Sequence, residues 1–455
     1  MKKIVAGLCC ASMLLAFSSE GFSATKKRKR VHHRAPRGAV TKSAPTPIQN
    51  STPVAPAAEA PKPGWTDKFE ATWKKGLQFK TKDEKYSMKF RVRVQPQFQY
   101  QSRNADGKSK EDTFRIRRAK LSWEGNVFTK NLDYKLQLSV ATSNFSDMLE
   151  DAYLDYRVVD PFRVQFGQFK IPYNRQQINS SGRLQLVDRS LASDEFRFSS
   201  IDRTNTTTCT LPGGATITGS GVTCTGAGVT STTNTTDALR RFHFDTGLML
   251  HGDFADKKVE YAVAITNGTG PNRLNLNKGL LYTGRVVWNA LGKYGYSESD
   301  VENSEHPALM FGASSGFNTQ DITNNKIFQA GAEAGFKYKG FSLQGEYFFR
   351  HNKIKELNGK PASLSTDDHG YYAQAGYFIL PTHLEVAARA SQVFLDGPNN
   401  NKSEYTGGLN YYFFGHDLKL QADYSYLRSQ VDPTKFAGAR NQNDHRVRLQ
   451  LQAWF

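Results

Sequence analysis

KFRVRVQPQFQY, residues 89–100, sets Phe90, Val92, Val94, Phe98 and Tyr100 against Lys89, Arg91, Arg93, Gln95, Gln97 and Gln99. Such alternation predicts an extended strand whose two faces meet different surroundings. One face is apolar; the other opens with a row of cations.

The pattern returns down the chain. FRIRRAKLSW carries Phe114 and Ile116, then Ala119, Leu121 and Trp123, so its phase slips by one between Arg117 and Arg118. That slip predicts a β-bulge. LDYKLQLSV alternates Leu132, Tyr134, Leu136, Leu138 and Val140 with polar residues. Continuing to RVRLQLQAWF, about 16 such segments follow one another, the range of outer-membrane barrels. Short connectors (VDP, DFAD, KG, LPT, GHD) mostly alternate with long polar ones such as NGTGPNRLNLNK. One rim of short turns and one of long loops is how outer-membrane barrels are built, with the short turns periplasmic. Every segment offers an apolar face, and no helix or second sheet is present to cover it. Closing the sheet removes the edges that hydrocarbon cannot satisfy. The predicted fold is all-β: a 16-stranded antiparallel transmembrane β-barrel over residues 85–455, in the bacterial outer membrane.

Composition agrees. The 455 residues are 38% hydrophobic and 22% charged, with mean hydropathy −0.57. No run of 18 apolar residues occurs in the body of the chain, which excludes membrane-spanning helices and leaves barrels open. The 30 Phe and 20 Tyr suit strands.

MKKIVAGLCCASMLLAFSSEGFSA, residues 1–24, reads as a cleaved signal peptide. Residues 25–64 hold nine Lys or Arg and one Glu among Pro and Ala, a disordered periplasmic linker. Beyond it 49 basic residues face 40 acidic ones, so half of the +18 formal charge belongs to the body. The linker's basic run is expected to be a solvated spacer; the alternative is contact with anionic polymers or lipid headgroups, ahead of nucleic acid, which an exported chain rarely meets. For residues 65–84 a short amphipathic helix and a plug at the periplasmic mouth are the alternatives. Cys209 and Cys224 are the mature cysteines, and their even number in one exported loop suggests a disulfide. No cofactor or metal is expected. The histidines are scattered and sit in no nucleophile motif, so no enzyme is expected.

The connector of residues 172–240 is too long for an ordinary turn. Its first half carries Arg175, Arg183, Arg189, Arg197 and Arg203, just after Lys170. This third external loop is expected to fold into the lumen and narrow it. Its Thr- and Gly-rich second half is expected to be a surface flap clipped by Cys209 and Cys224. Val447, Leu449, Leu451, Ala453 and Phe455 share one face of the last segment, and Phe455 is the final residue. That ending resembles the signal read by the outer-membrane assembly machinery.

FRIRRAKLSWEG, GQFKIPYNRQQI, LQLVDRSLASDEF and HFDTGLMLHGDF, in this order, resemble the phosphate-selective porins of the O and P type. The resemblance covers roughly residues 80–455. It implies a homotrimeric channel that passes inorganic anions such as phosphate through a basic constriction. The linker and the Cys209–Cys224 insert are not expected of that family.

With the apolar rows toward lipid, Lys89, Arg91, Arg93, Arg115, Arg117, Arg118, Lys120 and Lys135 face the lumen. A cationic ladder replaces part of an anion's lost hydration, and Arg offers a planar fork to two phosphate oxygens. Acidic residues on the same rows (Asp133, Asp151, Asp155, Glu260, Glu333, Glu346, Glu385, Asp423) supply counter-charge. A general-diffusion pore, or an adhesin or tether built on a barrel, are the alternatives to anion preference.

Overall fold

The structure, a computed structural model, describes residues 69–455 except 104–108, 143–146, 221, 276–277, 321–323 and 431–440. The expected signal peptide and linker (1–64), with residues 65–68, lie outside the described residues.

Two short strands, β1 (Phe69–Trp73) and β2 (Leu77–Thr81), precede the barrel. The wall begins with β3 (Ser87–Arg103), β4 (Ser109–Asn126), β5 (Leu132–Ser139), β6 (Leu149–Val159) and β7 (Phe162–Lys170). The long connector then contributes β8 (Phe198–Thr210), β9 (Thr216–Gly219) and β10 (Thr230–Phe242) as a separate three-stranded sheet. The wall resumes with β11 (Phe244–Phe254), β12 (Val259–Thr266), β13 (Leu281–Leu291), β14 (Ala308–Gln320), β15 (Asn325–Tyr338) and β16 (Phe341–Leu357). It ends with β17 (Lys360–Leu380), β18 (Leu384–Phe394), β19 (Lys402–Phe414), β20 (Leu418–Ser429) and β21 (Gln442–Trp454).

Consecutive wall strands pair antiparallel, and the long connector is bridged by β7 pairing directly with β11. The barrel closes where β21 meets β3, with Leu449 opposite Phe98 and Ala453 opposite Val94. Val92 and Phe455 exchange backbone hydrogen bonds of 2.7 and 2.9 Å, carrying the seam to the last residue. This is a closed 16-stranded antiparallel β-barrel. Each wall strand has two neighbours, so its backbone needs no hydrogen bond from lipid.

Polarity is inverted relative to a soluble protein. Gln95 is 0% exposed and Arg93, Gln97 and Gln101 are buried, while Phe114 is 85% exposed. Leu409, Tyr424 and Leu449 likewise point outward. Only a hydrocarbon surround makes that arrangement favourable. The predicted bulge lies between β3 and β4, where Gln95 opposes Arg118 and Pro96 opposes Ile116. Arg117 is the unopposed residue, so Arg117 and Arg118 both turn inward.

The structure departs from expectation in four places. Residues 69–81 form a hairpin that pairs with β3 and contain no helix. The reason is a period of two: Phe69, Ala71 and Trp73 alternate with polar residues, and Lys75 and Gly76 turn at positive φ. The Thr-rich half of the long connector is an ordered sheet rather than a flap, as the β-propensity of threonine favours. On the rim of short turns, residues 292–307 form a long connection whose Glu298, Ser299 and Asp300 are buried. Finally, the interior is not uniformly wet. Ile171, Tyr173, Phe196, Phe198, Phe348 and Tyr372 belong to a small apolar core inside the barrel.

Candidate functional site

The long loop leaves β7 at Lys170 and dives into the barrel. Asn174, at φ 63, opens a helical turn, α1 (Arg175–Ile178), and its side chain accepts from Gln177 N. A second turn, α2 (Leu191–Glu195), is capped by Ser190, which accepts from Ser193 N. Asn174 Nδ2 donates to Ser193 O at 2.8 Å and joins the two turns. Gly182 lies over the seam, where a Cβ would stand 2.5 Å from Arg93 Nη1 and 2.9 Å from the Trp454 ring. Only glycine lets the loop pass so close to that stack.

Carboxylates hold this loop by its backbone. Glu346 accepts from Arg175 N at 2.7 Å and Gln176 N at 2.9 Å. Glu404 accepts from Leu191 N at 2.7 Å, and Asp423 from Val187 N at 3.2 Å. Glu298, from the 292–307 connection, accepts from Gln185 N at 2.9 Å and from Gln176 Nε2 at 3.0 Å. Glu385 accepts from Tyr412 Oη at 2.7 Å and from Asn410 Nδ2 at 2.9 Å. These acids are buried, and charge-assisted bonds to backbone N–H groups are among the stronger ones. Glu346 and Glu385, expected to line the lumen as counter-charge, are instead occupied in holding the loop and its supports; Asp423 does both, pairing with Arg448 as well.

The loop therefore presses on the wall from β15 to β21 and leaves free space along β4–β7 and β11–β13. Two cavities mark that space. One, of about 310 Å³, is lined by Arg117, Arg118, Lys120, Asp188, Arg189 and His243 among others. The other, of about 380 Å³, is lined by Arg163, Lys170, His251, Glu260, Arg285 and Tyr296 among others. Lys170 and Arg189 stand between them and share one acceptor: Asn179 O takes Lys170 Nζ at 2.8 Å and Arg189 Nη2 at 3.1 Å.

The predicted cations fare differently. Arg93 donates to the hydroxyls of Ser180 and Ser181, each at 2.8 Å, and Arg115 to the side chains of Gln97 and Gln99 at 2.8 and 3.0 Å. Lys170 also donates to Ile178 O at 2.9 Å, and Arg189 to Gln176 O at 2.7 Å. Among the described residues these four have no carboxylate partner. Arg117 and Arg118 share Asp188, at 3.1 and 2.5 Å. Lys120 pairs with Glu150, and Lys135 with Asp151 at 2.8 Å. Lys89 is half-buried and Arg183 exposed. Arg197 lies 3.8 Å from the Asp194 carboxylate.

Two predicted positions are corrected. Arg91 sits at the rim of short turns, paired with Asp417 at 3.1 Å and 3.8 Å above the Trp454 ring. Arg175 is 2% exposed, donates to Gly295 O and lies over Tyr294 and Tyr296 at 4.8 and 5.0 Å. It is a packing element of the loop rather than a lining cation. Arg203 lies in the loop's outer sheet, bound to Asp237 at 2.8 Å and Glu356 at 2.6 Å. There the sulfurs of Cys209 and Cys224 are bonded, with Cα atoms 5.4 Å apart.

Asp188, Arg163, Arg285 and Arg448 were not foreseen. Arg448 binds Asp188 at 2.9 Å and Asp423 at 2.7 Å. Burial pushes the Asp188 carboxyl up, but Arg118, Arg117 and Arg448 together hold it well below the usual carboxylate range. Arg163 binds Asp133 and Asp155, each at 2.6 Å, and Arg285 binds Glu333 at 2.5 Å. The inward parity of Arg163, Arg285 and Arg448 was legible; the pairing of each was not.

The barrel resembles OmpT, an outer membrane protein of Vibrio cholerae, with TM-score 0.50 and 8% identity over 81% of this chain and 97% of that one. The outer membrane channel DcaP of Acinetobacter baumannii aligns at TM-score 0.48 with 11% identity, over 81% and 97% of the two chains. An uncharacterized protein of Aquifex aeolicus (strain VF5) is 24% identical over 411 residues, 80% of this chain and 87% of the relative. The family model of phosphate-selective porin O and P matches residues 88–453. With the closed barrel and the inward-folded basic loop in place, the chain belongs to the phosphate-selective porin O and P family, a family of outer-membrane porins.

Proposed function

We propose that this porin passes small anions in preference to cations, phosphate and polyphosphate among them. The observation that carries the reading is the distribution of carboxylates. Lys170 and Arg189 meet between the two cavities with only carbonyl oxygens as acceptors. Of the nearby acids, Asp188 is shared by Arg117, Arg118 and Arg448, Asp194 accepts from Gln177 Nε2 at 2.9 Å, and Glu298, Glu346, Glu404 and Asp423 are bound to the loop backbone. An anion passing between the cavities meets two cations that no carboxylate touches among the described residues, and carbonyl-bound cations keep donors to offer it. Weak successive sites (Arg117 and Arg118, then Lys170 with Arg189, then Arg163) allow passage without capture.

The pairs Lys120–Glu150, Lys135–Asp151 and Arg163–Asp155 favour the second reading, a general-diffusion pore with a mixed wall. Phosphate titration separates the two. Under the anion reading, added phosphate lowers single-channel chloride conductance in a saturable way, and Lys170→Gln/Arg189→Gln abolishes the effect. Conductance that merely follows bulk conductivity would favour the mixed wall. A channel rather than a catalyst also fits Ser297, whose Oγ lies 2.8 Å from His416 Nε2. The imidazole's Nδ1 has no partner among the described residues, so no acid orients it as a triad requires.

A further inference from the structure

The hairpin of β1 and β2 precedes the 16 wall strands, yet it repeats the polarity of the wall. Phe69, Ala71 and Trp73 stand opposite Thr81, Phe79 and Leu77, and Phe79 and Leu77 stand opposite Met88 and Phe90 of β3. Opposed residues share a face, so the hairpin's apolar face continues the lipid-facing side of β3. That side carries the Phe90–Trp123 ring pair at 5.1 Å, and Trp73 beside it is 66% exposed.

Below this aromatic level the apolar face holds a groove of about 360 Å³, lined by Phe69, Phe79, Tyr86, Met88, Val127 and Tyr134 among others. The rings of Phe69 and Phe79 (5.9 Å) and of Tyr86 and Phe128 (5.8 Å) frame it. Its rim is basic. Lys130 and Lys80 share the single carboxylate of Glu84, which they hold down at about 2, so the trio keeps a net positive charge. Lys82 is exposed.

We propose that this groove seats an anionic phospholipid of the leaflet facing the periplasm. An acyl chain lies along Phe69, Phe79 and Met88, and the phosphate meets Lys80, Lys82 and Lys130. The groove opens on the same side as the lipid-facing wall, and aromatic residues flanking an apolar band belong at headgroup depth. Lysines bordering apolar surface carry the charge an anionic headgroup complements. Residues 25–64, with nine basic residues and one acidic, have the same sign as the rim. A second copy would bring the same lysines against themselves.

Native mass spectrometry of the full chain in detergent, titrated in parallel with phosphatidylglycerol and phosphatidylcholine, tests this. Phosphatidylglycerol adducts are expected where phosphatidylcholine gives none. Both Phe69→Ser/Phe79→Ser and Lys80→Gln/Lys82→Gln/Lys130→Gln should weaken them by about fivefold or more. Unchanged single-channel conductance in each variant shows that the barrel has folded. Equal binding of the two lipids, or wild-type adducts in both variants, would overturn the proposal. So would a rise in lipid binding on deleting residues 25–64, which makes the linker the occupant. Dissociation of an oligomer by the serine variant would make it a second copy.

Discussion

One carboxylate serves three guanidinium groups: Asp188 touches Arg117, Arg118 and Arg448. Asp188→Asn should therefore leave more positive charge beside the cavity lined by Arg117 and Arg118 and raise anion preference, read as a larger reversal potential in a salt gradient. A single charge about 4 Å from the ion in a water-like dielectric is worth about 1 kcal/mol, roughly fivefold in permeability ratio. The same change removes one partner of a buried cluster and should cost about 3 kcal/mol of stability near neutral pH. The sign with pH follows from its depressed acidity. The contribution is fully present above the unfolded carboxylate value of about 3.9 and is lost as pH falls through the lower folded value. Heat-modified gel mobility should show a lower unfolding temperature for the variant at neutral pH, and a gap that closes in strong acid. Lys170→Gln/Arg189→Gln is expected to act oppositely on transport, lowering anion preference by about fivefold or more.

At the scale of elements, the inward loop stays in place because wall and connector acids grip its backbone. Replacing Glu346 and Glu404 together with Gln weakens acceptors of three loop N–H groups. Larger and noisier single-channel conductance is expected, while the barrel itself keeps its gel mobility. Deleting residues 206–238 should leave conductance within about twofold, because that part of the sheet contributes no residue to the apolar core or the cationic passage; a collapse of conductance would place it in the pore. The wall was legible in residues 89–100 because side-chain period alone separates lipid from lumen. The Arg117 bulge was legible too, as a slip in phase. What was not legible depends on partners distant in sequence. Arg175 counts as a lining cation until Tyr294, Tyr296 and Gly295 O enclose it. Glu346 counts as counter-charge until the loop's N–H groups claim it. The 292–307 connection carries no pattern that announces its inward fold, which rests on partners such as Gln176 and Gln185 meeting Glu298.

At the scale of the whole molecule, the barrel separates an oily outside from an interior that holds both water and a small apolar core. The seam ends on the exchange between Val92 and Phe455. If the last residue is part of the assembly signal, removing Phe455 should cut insertion into outer membranes far more than refolding in detergent. Equal losses in both would assign Phe455 to closure of the seam alone. The central claim is that Lys170 and Arg189, which no carboxylate contacts among the described residues, make the passage between the two cavities favour anions. The most direct measurement is the zero-current potential of the purified porin in a planar bilayer across a potassium chloride gradient. The account predicts the sign of anion preference, reduced in Lys170→Gln/Arg189→Gln; a potential of cation sign in the unmodified protein would contradict it.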